Sequence, residues 1–283
     1  MQFLLLLLLV ALFSSLPAVL SKNVENYDNW DHNVPVASEA MTQKAVPLPV
    51  MKGFTDSVLH LSGSVKAHPN NGQYWLDRAQ RLMHYGLYRE AVHDFREAQK
   101  HLSNSDNRAT IGLARCYFNL QDYPQALWVA QRLLARDKSS AEGHALRALG
   151  LFNDPDRAIE ECDKAIALKP SVPWFYVSRA RINQGNNRLW TQTLKDCRTA
   201  LRLAPKNLSA RLFRANAYLK LGKVDKAMED CNSILAAEPL YLEAYKIRCK
   251  VHRQMGDENL AKMDEYLYQT CIKRMQEVVE ENQ

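Results

Sequence analysis

Ala227-Met228-Glu229-Asp230-Cys231, followed by Leu235 and Pro239, decides the fold, because the chain writes it three times. Thr193-Leu194-Lys195-Asp196-Cys197 with Ala200 and Pro205 is one earlier copy. Ala158-Ile159-Glu160-Glu161-Cys162 with Ala165 and Pro170 is another. Looser copies stand at Ala91, Phe95 and Ala98 and at Ala126, Ala130 and Leu133, and a last one begins at Ala261. The anchors fall at 91, 126, 158, 193, 227 and 261, in steps of 35, 32, 35, 34 and 34. A second ladder precedes them at Ala79, Ala114, Ala148, Ala180, Ala215 and Cys249. All but Ala114 follow an arginine: Arg78, Arg147, Arg179, Arg214 or Arg248.

A fixed period of this length means stacked supersecondary units. Apolar residues recur at three- and four-residue spacing, so each unit is two amphipathic helices. Small residues on the two ladders let the helices approach closely. Gly86, Gly222 and Gly256 sit between the ladders, where a left-handed cap ends the first helix. Pro170, Pro205 and Pro239 end the second, since proline cannot continue it. One pair cannot bury its apolar face alone, so the units must stack.

These residues resemble the tetratricopeptide-repeat (TPR) family. Trp75, Gly86, Tyr88, Ala91, Phe95 and Ala98 match its pattern in the first copy, and Tyr218, Gly222, Ala227 and Pro239 in the fifth. The resemblance implies an all-α fold: a right-handed superhelical α-solenoid of about six helix-turn-helix repeats over residues 72–273. The third copy is two residues short near Asn153-Asp154-Pro155, and the fourth is one long near Gly185-Asn186-Asn187. Residues 54–71 keep the phase of a second helix and are expected to cap the array. Residues 274–283 extend the last helix into a polar tail.

Before the repeats, Phe3 to Phe13 is an unbroken apolar run, interrupted after it by Ser14, Ser15 and Pro17. Residues 1–21 are expected to be a signal peptide cleaved after Ser21, since Val19 and Ser21 are small enough for the peptidase. A signal anchor is the rival, but a spanning helix needs about 20 apolar residues. Residues 22–53 form a polar linker or extended arm with Pro35, Pro47 and Pro49. The expected location is the secretory pathway, secreted or in the endoplasmic-reticulum lumen. Membrane contact is expected only if the signal stays uncleaved. Asn207-Leu208-Ser209 is a glycosylation sequon in an expected inter-repeat loop. Secretion favours disulfides, yet Cys162, Cys197 and Cys231 lie 35 and 34 residues apart. They therefore share one structural position, about one repeat from each other and beyond disulfide reach.

The 283 residues carry a net charge of +6. That suits acidic partners but is too dispersed for nucleic acid. No G-x-S-x-G, H-E-x-x-H, phosphate loop, G-x-G-x-x-G or C-x-x-C occurs, and the scattered histidines propose no metal site. No enzyme activity, cofactor or metal is expected.

TPR proteins hold peptides on a concave face built from their first helices, so the resemblance implies a binding groove. Repeat one contributes Leu76 and Met83; repeat two contributes Ile111, Arg115 and Phe118. Repeat four adds Trp174, Val177 and Arg181, and repeat five adds Leu212 and Asn216. Repeat six adds Lys246, Lys250 and Arg253. A subtype that captures chaperone tails carries a lysine- and asparagine-based carboxylate clamp. The matching positions here hold Leu76, Gln80, Gly112, Glu142 and Leu146, or Val177, Arg181, Phe213, Glu243 and Ile247, so that clamp is absent. The expected partners are peptide segments of other proteins, apolar with acidic flanks. The leading expectation is a co-chaperone-like interaction module, and the alternative is a scaffold or adaptor assembling a secreted or membrane-associated complex.

Overall fold

The computed structural model describes residues 48–185 and 189–281. The expected signal segment, its cut after Ser21, most of the arm and the insertion at Asn186-Asn187 lie outside them. The described residues form thirteen α-helices and no strand. They are α1 (Leu48–Ala67), α2 (Gly72–His84), α3 (Tyr88–His101), α4 (Arg108–Asn119), α5 (Tyr123–Arg136), α6 (Ala141–Gly150) and α7 (Pro155–Leu168). There follow α8 (Pro173–Gly185), α9 (Trp190–Leu203), α10 (Leu208–Lys220), α11 (Val224–Ala237), α12 (Leu242–Met255) and α13 (Glu258–Glu280).

The helices pair as α2–α3 through α12–α13, one pair per sequence copy. Each first helix also contacts the first helix of the next pair, from α2 to α12. That continuous inner layer is what makes the fold a solenoid. Both ladders lie between the paired helices. Ala79, Ala91, Ala114, Ala126, Ala148, Ala158, Ala180, Ala215 and Ala227 are all wholly buried, and a larger side chain there would overpack the seam. The third copy's shortness is taken up by α6, which has 10 residues where the other first helices have 12 to 14.

Gly86, Gly222 and Gly256 have φ of 81°, 71° and 90°, the left-handed turn that the ladders call for. The N-caps are local as well. Asn71, Asp122, Ser140, Asp154 and Asn207 each accept a hydrogen bond from a first-turn amide, satisfying a donor that the helix leaves open. Asn207 is thus a half-buried cap of α10 rather than a free loop residue.

Two features of the packing are not periodic. Arg78 donates to Ser62 on α1 at 3.2 Å, just as Arg248 donates to Asn232 at 3.1 Å, so α1 stands where a preceding second helix would. In addition α1 contacts α13. Met51, Phe54 and Val58 share one hydrophobic cluster with Cys271, Met275 and Val279, and the first and last helices of the array meet. No described helix is long and apolar enough to cross a membrane.

All six cysteines are buried and unbonded. Burial pushes the thiols of Cys116 and Cys231 up to about 12 and that of Cys271 to about 11. They stay protonated and unreactive at neutral pH.

Candidate functional site

A second periodicity runs between the paired helices. Arg78 reaches Asp94 with Nε–Oδ2 at 2.6 Å and Nη2–Oδ1 at 2.8 Å. Arg179 meets Asp196 at 3.0 and 2.6 Å, Arg214 meets Asp230 at 2.9 and 2.7 Å, and Arg248 meets Asp264 at 3.0 and 2.6 Å. Each is a two-point fork from first to second helix, a geometry that fixes orientation as well as charge. In repeat three Arg147 bonds Glu161 at 2.7 Å, and His144 and Lys164 join at 2.7 and 2.8 Å. Burial alone would raise the Glu161 carboxyl, but the bonds from His144, Lys164 and Arg147 outweigh it and hold it at about 2. The arginines were visible as a ladder in the sequence. Their acidic partners are not singled out there, although an acidic residue stands three positions after every anchor but Ala126.

The groove residues expected from sequence separate into three groups. Leu76 is wholly buried, and Phe118 and Val177 nearly so. Leu76 therefore belongs to the core between helices and offers no surface to a ligand. Met83, Ile111, Trp174 and Leu212 are half-buried, and all four pack against one hydrophobic cluster. Arg115, Arg181 and Asn216 are half-buried beside them. Lys246, Lys250 and Arg253 are exposed, and two of them face α13 instead of the groove. Lys246 lies 4.4 Å from the Tyr268 ring centroid, and Arg253 pairs with Glu265 at 2.8 Å.

At the centre of the face, Arg181 lies between two aromatic rings, 5.0 Å from the Phe118 centroid and 4.9 Å from that of Phe213. Its Nη1 donates to Asn119 Oδ1 at 3.0 Å, across 62 residues of sequence. Asn216 donates to Gln184 at 2.8 Å, and Gln184 donates to the Phe213 carbonyl at 2.7 Å, joining repeats four and five. Tyr88 and Tyr241 lie in the same electrostatic neighbourhood. Burial pushes the Tyr88 hydroxyl up to about 12, with Arg181 pulling against it. Farther along, His84 approaches Glu238 at 3.5 Å and the Tyr241 ring at 6.0 Å, so repeat one touches the junction of repeats five and six. None of Asn119, Phe213, Tyr88 and Tyr241 is among the groove residues expected from sequence. Among the described residues, no group of three His, Cys, Asp or Glu side chains could hold a metal ion.

Two segments, 82–150 and 186–241, match family patterns described as tetratricopeptide repeat. These two segments are tetratricopeptide repeats. Such repeats are protein-interaction modules, and the inner layer of first helices is their shared frame. The human DnaJ homolog subfamily C member 7 is 27% identical over 188 residues, 58% of this chain and 37% of its own length. Sperm-associated antigen 1 of Rattus norvegicus is 37% identical over 128 residues, 45% of this chain and 13% of its own length. The chain thus spans well under half of these relatives. Among solved structures, a thermophilic TPR protein of Thermus thermophilus superposes with a TM-score of 0.53 at 20% identity, covering 65% of this chain and 98% of that one. The APC/C hetero-tetramer Cut9-Hcn1 gives 0.56 at 15% identity, over 88% of this chain and 50% of that one. At these identities the likeness is one of fold.

Proposed function

We propose that the chain holds a peptide segment of a client or partner protein on its concave face, in the manner of a co-chaperone. The carrying observation is the inner layer itself. It brings Met83, Ile111, Trp174 and Leu212 from four repeats onto one hydrophobic cluster, whose Phe118 lies beside the half-buried Arg181. A half-buried apolar surface with convergent polar groups is the usual form of an interaction site. The similarity to the DnaJ homolog supports the co-chaperone form of the reading. This chain contains no His-Pro-Asp sequence, so ATPase stimulation through that motif is not part of the proposal.

The proposed compartment is the secretory pathway, supported by the apolar run from Phe3 to Phe13 and the small residues Val19 and Ser21. Chain recovered from a secretory host should begin at Lys22, and an intact Met1 on membrane-embedded protein would refute cleavage.

Affinity purification of the tagged chain, with Trp174→Ala and Trp128→Ala as paired variants, tests the surface. Trp174 lies on a first helix, whereas Trp128 lies on a second helix and is half exposed. Partner capture should fall with Trp174→Ala, since truncating a buried aromatic anchor costs about 2 kcal/mol or more, and should survive Trp128→Ala. The reverse pattern would move the site to the convex side. A single stoichiometric partner would favour the scaffold form, and many weak ones the client-binding form.

A further inference from the structure

The ion-pair ladder makes two arginines conspicuous. Arg78, Arg147, Arg179, Arg214 and Arg248 are all partly buried, and each is paired with a carboxylate. Arg115 and Arg181 are also partly buried, and neither has a carboxylate within ion-pair distance among the described residues. They stand at one register position, immediately after Ala114 and Ala180 of the first ladder, on α4 and α8. Arg115 makes no side-chain hydrogen bond among the described residues. Arg181 spends one donor on Asn119, and its Nε and Nη2 have no hydrogen-bond partner there.

The environment of Arg181 directs those remaining donors. Phe118 and Phe213 flank its guanidinium, which stabilises the cation but satisfies none of its N–H groups. A guanidinium donates in its own plane, in a fork that fits a carboxylate. Apolar walls on either side also strengthen any Coulomb attraction made at that edge. Burial and the like charge of Arg115 both work against the charge on Arg181, while Tyr88, Tyr241 and Glu243 favour it. Glu243 is the chain's own nearby carboxylate, but it is exposed and engages Lys246 at 3.1 Å.

We propose that Arg181, assisted by Arg115, forms an oxyanion site that takes the side-chain carboxylate of an aspartate or glutamate in a bound peptide, with apolar residues on either side of it. The site rests on the concave-face reading above and adds the chemistry of what is read there. It differs from the lysine- and asparagine-based clamp, whose positions are filled otherwise in this chain. Met83, Ile111, Trp174 and Leu212 receive the apolar neighbours, and the arginine pair selects the acid between them.

The test uses the purified chain and pooled heptapeptides, acetylated and amidated so that no terminal charge competes. The flanking positions are mixtures of Leu, Ile, Val, Phe and Met. The central position is fixed as Glu, Gln, Lys or phosphoserine. The chain should retain the Glu pool at least about tenfold over the Gln pool, the scale of a charge-assisted pair, and reject the Lys pool. Arg181→Gln should erase the Glu-over-Gln preference while leaving apolar retention in place. The melting temperature separates binding from a strut. Arg181→Gln should melt at or above wild type, because an unpaired charge is removed, whereas Arg179→Gln should melt lower, because the buried Asp196 loses its cation and keeps only the Gln192 amide. Retention of the Glu and Gln pools alike, dependent on Trp174, overturns the oxyanion site and leaves the groove standing. Retention of no pool overturns both. A phosphoserine pool held tenfold above Glu overturns the assignment to a carboxylate. Arg181→Gln melting as low as Arg179→Gln makes the residue a structural strut and overturns the proposal.

Discussion

Repeats two and five fill the same two positions with opposite chemistry. In repeat five Arg214 forks onto Asp230 between α10 and α11. In repeat two those positions are Leu113 and Val129, both buried in the main hydrophobic cluster. Yet α4–α5 and α10–α11 make the same kind of pair, with wholly buried alanines at Ala114, Ala126, Ala215 and Ala227. The small-residue ladders therefore set how the helices meet, and the ion pair is an interchangeable filling of the gap beside them. Replacing a buried ion pair by apolar residues is often neutral, whereas removing one partner is costly. That asymmetry fits a repeat two in which both positions are apolar and neither partner stands alone.

The largest expected effect breaks one filling without supplying the other. Asp230→Ala leaves Arg214 partly buried and unpaired, and should cost about 3 to 5 kcal/mol in urea unfolding. The double variant Arg214→Leu, Asp230→Val installs the filling of repeat two and should return to within about 1 kcal/mol of wild type. A double variant as unstable as the single one would show that the fork is required in repeat five and that the two fillings are not equivalent.

Acid sharpens the same comparison through repeat three, whose filling is the most highly charged. Glu161 is held at about 2, below its ordinary 4.5. A carboxyl lowered by folding stabilises the fold fully above its unfolded value. The contribution is lost as pH falls from about 4.5 towards about 2, and by linkage it amounts to about 3 kcal/mol. Hydrogen exchange should therefore show α6 and α7 opening as pH falls from about 4.5 towards about 2, ahead of α4 and α5, whose filling does not titrate. Glu161→Gln should remove most of that pH dependence. Equal loss of protection in both pairs would assign the acid sensitivity elsewhere.

The fold was legible because its determinants are local and repeated. The alanine ladders, the turn glycines and the closing prolines each occupy a fixed offset, and Gly86, Gly222 and Gly256 do have positive φ. The site was legible only in part. Met83, Ile111, Trp174 and Leu212 follow from helix phase alone, and all four are half-buried against one hydrophobic cluster. Leu76 has the same phase but is sealed into the core, because burial there depends on what α1 and the neighbouring helices place over it. The meeting of Arg181 with Phe118 and Asn119, and of His84 with Glu238, depends on rotation accumulated over several repeats. No window of one period contains that information. The contact of α1 with α13 is of the same kind.

The smallest expected effect lies in the turns, where repeat two again departs from repeat five. Gln121 has φ 62° and is the one non-glycine residue with positive φ among the described residues. Its amide bonds the Phe118 carbonyl at 3.0 Å, and the Asp122 amide bonds that of Tyr117 at 2.9 Å. In repeat five Gly222 bonds Leu219 at 3.1 Å and Lys223 bonds Tyr218 at 2.9 Å. The two turns are thus the same, and only the residue differs. A side chain in the left-handed region costs about 1 to 2 kcal/mol, while glycine loses about 0.5 to 1 kcal/mol more chain entropy on folding. The strain outweighs the entropy, so Gln121→Gly should stabilise by about 0.5 kcal/mol and Gly222→Gln should destabilise by a similar amount. Both residues are exposed, so no lost packing should confuse the result. Thermal melts of the two variants suffice. If Gln121→Gly proves destabilising, then the Gln121 side chain contributes more to the native turn than its backbone strain costs. Repeat two would then differ from repeat five at its surface as well as in its seam.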